Sequence, residues 1–303
     1  MNGPFSSKAA VMAVALALMA APAARAQDAG VPRVAEAVRA LAAGPLGRLD
    51  DAARARVAEF VAGAALFTLA HELGHAAIGE FALPVLGREE DAADAFATLA
   101  LLHVGTDFTH RVLADAARGL MMVGERDARA GVEPAFYGEH GLDRQRAYAI
   151  VCLMVGSDPA AFADLAQRAD LPPERRETCQ DDFEKAKSSW LRLLAPHFRT
   201  AAKPSFWERL IAPRGRARAA SSPIAVEYGD APGDLAPFRG ALQAMGLLER
   251  VGEFAGRSLA FPRPLTVTAK TCGEPNAYWD PATRHIVICY ELLPFHADLA
   301  LRP

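Results

Sequence analysis

Leu49 to Gly79 reads LDDAARARVAEFVAGAALFTLAHELGHAAIG, and this stretch decides the fold. It is rich in Ala, Leu and Val, which predicts a long helix over 49–79. Val61 to Ala70 is nearly all apolar or small, and so is Ala76-Ala77-Ile78. The helix therefore belongs in a core. Set into it are His71, Glu72 and His75, polar groups that are costly to bury unless something satisfies them. A metal ion would do so.

His71 and His75 are four apart, so on a helix both imidazoles share one face, one turn apart. That is the spacing zinc needs from two nitrogen ligands. Glu72 sits beside the first histidine, where it can reach a water activated by the metal, take its proton and hand it on. A third protein ligand is needed. HExxHxxGxxH would require Gly at 78 and His at 81; the chain has Ile78 and Phe81, which excludes the three-histidine class. The alternative is a carboxylate from the next helix, predicted over 88–104 beyond a loop with Pro84 and Gly87. Glu90 is the expected ligand. Asp94, one turn on, shares its face and is expected to orient His71. Glu89 and Asp91 compete with Glu90, since periodicity does not separate the three and an acidic first turn also suits the helix dipole.

These residues resemble the gluzincin pattern, HExxH followed by E-x-x-x-D. The stretches 83–94, Leu142-Asp143-Arg144-Gln145-Arg146, Gly156-Ser157-Asp158-Pro159 and Cys272-Gly273-Glu274-Pro275-Asn276-Ala277 are more specifically similar to a bacterial family of metallopeptidases, the DUF4344 type. The resemblance implies a zinc protease, with peptide or protein substrate, and does not extend to specificity. In some gluzincins a sheet edge carrying Asn-Ala-Phe precedes the catalytic helix. Here Asn276-Ala277-Tyr278 is similar but lies near the C-terminus, so the hairpin there is expected to fold back onto His71 in a permuted order. Candidate oxyanion or substrate contacts are His140, Tyr148, Asn276, Tyr278 and Tyr290.

The rest of the chain fits around this centre. Its 303 residues carry a net charge of −3, which favours neither nucleic acid nor an acidic membrane surface. Residues 1–26 read as a signal peptide: Lys8, an apolar run from Ala9 to Ala21, then Ala24-Arg25-Ala26 as the cleavage signal. The mature protein is thus expected in the periplasm or secreted, with no other segment able to span a membrane. In an oxidising compartment four cysteines suggest two disulfides, and sequence proximity favours Cys152–Cys179 and Cys272–Cys289.

Further helices are expected at 33–44, 107–124, 143–155, 159–169, 173–194 and 234–253, and strands at 224–228, 265–268 and 285–290. A turn at Trp279–Ala282 places Tyr278 opposite Thr283 and Cys272 opposite Cys289. The Pro-, Ser- and Arg-rich stretch 199–223 reads as a linker or surface loop. The fold expected is mainly helical α+β: a zincin-like helical core at 27–198, and a C-terminal α/β segment at 224–303 bearing a small antiparallel hairpin or sheet. A zinc hydrolase acting on other bonds, or a zinc-stabilised binding module, are the alternatives. Retention of Glu72 argues against the module, which needs the histidines but not the base.

Overall fold

The long apolar stretch forms one helix, Asp51–Phe81, and the other elements are arranged around it. The computed structural model describes residues 34–199 and 224–302. The expected signal peptide, and the expected linker apart from Arg199, lie outside the described residues. The helices of the first part are α1 (Val34–Ala42), α2 (Asp51–Phe81), α3 (Glu89–Val104), α4 (Asp107–Arg129), α5 (Asp143–Ser157), α6 (Ala163–Arg168) and α7 (Pro173–Leu194). Then come β1 (Ile224–Tyr228), α8 (Ala236–Met245), α9 (Leu247–Ser258), β2 (Leu265–Lys270), β3 (Ala277–Asp280), β4 (His285–Cys289) and α10 (Leu292–Leu301). The described residues from 34 onward belong to one compact unit.

Asp50 caps α2 by accepting the Ala53 N–H at 2.7 Å. The helix ends where Ala82 turns left-handed, at φ 50°, and the Leu83 N–H closes back on the Ile78 carbonyl at 3.0 Å. Twenty of the 31 residues of α2 are buried, on all of its faces. Helices α1, α3, α4, α9 and α10 and strands β3 and β4 pack against it. The apolar character that would suit a bilayer is therefore covered by protein. In length and composition α2 is long enough to cross a membrane, contrary to expectation, but 89% of its apolar window is buried inside the fold.

The sheet is mixed, in the order β1-β2-β4-β3, with β1–β2 and β2–β4 parallel and only β3–β4 antiparallel. The expected register is corrected: Tyr278 faces Val287, not Thr283. The cause is Asp280. Its carboxylate accepts the N–H groups of Ala282 and Thr283, and Arg284 is left-handed, so the reversal falls two residues later than Trp279–Ala282. The Cys272–Cys289 disulfide forms, but it does not cross the hairpin. Lys270 pairs with Cys289 across the parallel β2–β4 ladder, and Cys272 lies just beyond it. The bond thus ties the end of β2 to β4 and closes the loop that carries β3. Cys152–Cys179 joins α5 to α7.

The helix expected over 234–253 is two helices, broken at Gly246 with φ 60°. Helix α6 starts at Ala163 rather than 159, because Asp158 first caps a turn through the N–H groups of Ala160 and Ala161. Helix α10 had no expectation attached to it. Mainly helical α+β describes the whole.

Candidate metal centre

Helices α2 and α3 cross closely at Gly74. A Cβ there would lie 3.2 Å from both Ala93 Cα and Phe96 Cδ1. This glycine lets the first turn of α3 lie over the histidine pair. His71 Nε2 and His75 Nε2 are 3.1 Å apart, and Glu90 Oε2 lies 3.1 Å from the first and 3.4 Å from the second. Four tetrahedral ligands at zinc bond lengths of about 2.0–2.1 Å would stand roughly 3.3 Å from one another. The three atoms match one face of such a tetrahedron.

The other ring nitrogens are held from behind. His71 Nδ1 donates to Asp94 Oδ1 at 2.8 Å, and His75 Nδ1 donates to Glu89 Oε1 at 2.8 Å. Both Nε2 lone pairs therefore point at each other and at a carboxylate oxygen. Three electron-rich atoms converge, which requires a cation or protons between them. Asp94 is itself clamped by Arg146, with Nε to Oδ2 at 2.7 Å and Nη2 to Oδ1 at 2.9 Å.

The electrostatics follow from this packing. Burial pulls the His71 pKa down, but hydrogen bonds to Asp94 and Glu90 more than offset it and raise it to about 9. His75 is raised in the same way by Glu90 and Glu89 against its burial. Burial works against the ionised forms of Glu90 and Asp94 too, yet both are lowered: Glu90 by His140, His71 and His75, and Asp94, to about 2, by Arg146 and His71. Glu72 goes the other way. Burial pushes it above the ordinary carboxylate range, with the two histidines and the Trp279 N–H partly opposing.

That last effect places β3. The Trp279 main-chain N–H is close enough to the Glu72 carboxylate to favour its ionised form, and a Cβ on Gly79 would meet the Trp279 indole nitrogen at 3.3 Å. Strand β3 lies at the sheet edge, directly beside α2.

Of the sequence candidates, His71, Glu72, His75, Glu90, Asp94 and His140 come together. His140 arrives on the loop before α5, half exposed, with Nε2 2.7 Å from Glu90 Oε2 and its ring stacked at 6.2 Å from His71. It stands outside the converging trio. Asp91 turns away to Arg88.

The other oxyanion or substrate candidates are placed elsewhere. The Tyr290 ring is fully buried, and its hydroxyl donates to the Gly229 carbonyl at 3.0 Å. Tyr278 lies on the sheet face opposite Trp279, under the Lys270 ammonium at 5.6 Å. Asn276 hydrogen-bonds within its own loop, to Glu274 and the Ala277 N–H. Tyr148 packs on the core. Sequence reasoning missed the role of Glu89 behind His75 and missed Arg146 altogether. Arg146 lay in one of the resembling stretches, and that was the available signal. A second grouping, Cys272, Cys289 and Glu291, is no metal site, because its cysteines are bonded to each other.

A family model described as "Putative metallopeptidase", DUF4344, matches residues 46–194 and 233–300. The chain belongs to the DUF4344 family. All six residues gathered at the site lie inside the matched ranges. DUF4344 membership implies a metal, and His71, His75 and Glu90 are a group able to hold one. No curated protein and no solved structure matches the chain.

Proposed function

We propose that this DUF4344 protein is an exported, zinc-dependent peptidase in which Glu72 is the general base. One juxtaposition carries the reading: Glu72 adjoins the His71–His75–Glu90 triangle and also lies beside the edge strand β3, near the Trp279 main chain. A scaffold that only binds metal has no use for that carboxylate.

His71, His75 and Glu90 would hold zinc, and Asp94, Glu89 and Arg146 keep the two imidazoles in the ligating tautomer. Bound zinc supplies Lewis-acid polarisation of the scissile carbonyl and acidifies a water. An extended peptide adds to β3 as a further strand. On that strand Asn276 and Tyr278 pair with β4, so the main-chain groups of Ala277 and Trp279 point to the other edge, where the Ala277 N–H is held by Asn276 and the two carbonyls are left to accept from an added strand. Glu72, with its affinity for protons raised by burial, takes the proton of the attacking water and passes it to the leaving amine. His140, exposed beside Glu90, is the nearest candidate to donate an N–H to the developing oxyanion. Export is supported by the two disulfides and by the N-terminal leader pattern.

The test is Glu72→Gln, assayed with a peptide library alongside metal analysis. The variant is expected to keep stoichiometric zinc and to lose activity by on the order of 10²–10⁴-fold or more. Undiminished hydrolysis would dismiss Glu72 as base, and wild-type protein purified without metal would dismiss the site. Hydrolysis of non-peptide substrates alone would move the enzyme to another hydrolase class.

A further inference from the structure

Six large hydrophobic side chains stand exposed among the described residues, and four of them lie on two loops. Leu86 is between α2 and α3; Val132, Phe136 and Tyr137 are between α4 and α5. Both loops end at the metal centre. The first runs into Glu90, and the second delivers His140 to Glu90 Oε2. They meet at Gly141, where a Cβ would lie 3.5 Å from Asp91 Oδ1 and 3.6 Å from Arg88 Nη1.

Phe136 and Tyr137 are the middle residues of a turn closed by the Gly138 N–H on the Ala135 carbonyl at 2.9 Å. The turn holds both rings out: Phe136 is 80% exposed and Tyr137 95%, and Leu86 is fully exposed. Leu86 stands four residues before Glu90 and Phe136 four before His140, so at most about 14 Å of chain separates each from the centre. Large apolar groups gathered at the surface mark a contact surface. Residues 130–142 carry Glu133 and Glu139 and no Lys or Arg, so this loop is repelled by an anionic lipid surface rather than drawn to it.

We propose that the Leu86 and Phe136–Tyr137 loops grip the substrate, and that the substrate is an extended apolar stretch of an unfolded polypeptide. Its large side chains pack on these loops while its backbone lies along the edge of β3. This rests on the peptidase reading above and names its substrate class. Folded proteins bury such side chains, and an edge strand pairs only with backbone that is free to add to it. An unfolded apolar segment meets both demands.

Hydrolysis of paired decapeptides by the full-length protein tests it, one member carrying Phe and Leu around the cleaved bond and the other Ser at the same positions. The wild type is expected to favour the apolar member by roughly tenfold or more in kcat/KM. Leu86→Ser, and Phe136→Ser with Tyr137→Ser, are each expected to cut that preference about tenfold through KM, with zinc content and melting temperature maintained. Hydrolysis of neither peptide would sink the peptidase reading and this inference with it. Hydrolysis without preference, or a preference that both variants retain, overturns this inference alone. If the variants keep the preference but lose a binding of the wild type to phosphatidylglycerol vesicles, the side chains serve a membrane instead. If they keep it but lose a concentration-dependent dimer, they serve a second copy of the chain.

Discussion

At the residue scale the site is a set of histidines held by carboxylates. The trio that would touch metal is only half of it; Asp94, Glu89 and Arg146 decide where the imidazoles point. Removing such a partner leaves every ligand in place and still weakens binding, typically 10–100-fold. Arg146→Ala and Glu89→Gln are each expected to lower zinc affinity by that order in a competition titration with a chromophoric chelator. The loss should be larger for Arg146→Ala, because it strands the buried Asp94, whose side chain is only 7% exposed. If both variants hold zinc like the wild type, the positioning role is wrong.

A second residue-scale effect is remote from the site. His296 on α10 is packed against Phe60 and Phe295, and its Nδ1 has no hydrogen-bond partner. Burial lowers its pKa to about 4. The unfolded chain, titrating near 6.5, binds the proton more readily than the folded one. Stability is therefore full above pH 6.5 and falls as the pH drops from 6.5 towards 4. His296→Leu should remove that dependence. Between pH 7.5 and pH 4.5 the wild type is expected to lose roughly 2 kcal/mol more than the variant in urea unfolding. Equal losses would mean that His296 is solvated.

At the element scale, helices approach one another where glycine permits it. Gly74 sets the α2–α3 distance over the histidines. Gly156 on α5 is tighter still: a Cβ there would lie 2.1 Å from the Cys179 carbonyl oxygen on α7. That atom is backbone, fixed by the helix and by the Cys152–Cys179 bond, so it cannot give way. Gly156→Ala is expected to cost several kcal/mol or to prevent folded protein from accumulating. Gly240→Ala, whose Cβ would meet Ala40 Cβ at an ordinary 3.5 Å, should be tolerated. Thermal unfolding of the two variants side by side decides it. The elements themselves were largely legible in the sequence: α2, α3, α7 and β1 fall within two residues of expectation, because long apolar periodicity and bounding Pro or Gly are local signals. The hairpin register was not. It depended on whether Asp280 would sit inside the turn or cap it, a choice between two local hydrogen-bond patterns.

At the scale of the whole molecule, the C-terminal sheet and the N-terminal helices make one site. Cys272–Cys289 closes a 17-residue separation around β3, the strand that lies beside Glu72. In the chain-entropy picture such a closure is worth about 3 kcal/mol. The Cys272→Ser, Cys289→Ser double variant is expected to unfold at lower denaturant by about that amount. Its hydrolytic activity should fall further than its zinc content, since β3 loosens while the ligands on α2 and α3 stay. Parallel loss of zinc and activity would contradict this division.

The sequence by itself determined the candidate metal centre of this protein. Histidines four apart on an apolar helix, Glu72 between them and an acidic turn after the next loop are short-range relations, and helical geometry alone makes them a group able to hold a metal. It also determined the disulfide partners, which are near in sequence. Tertiary structure alone decided which acidic residue does what. Glu89, Glu90 and Asp91 are consecutive, and only the crossing of α3 over Gly74 sends Glu90 to both Nε2 atoms, Glu89 behind His75 and Asp91 to Arg88. It also brought in His140 and Arg146, and set β3 against Glu72 across some 200 residues of chain. Those contacts come from packing between distant elements, and no local pattern encodes which distant segment will lie beside a given side chain.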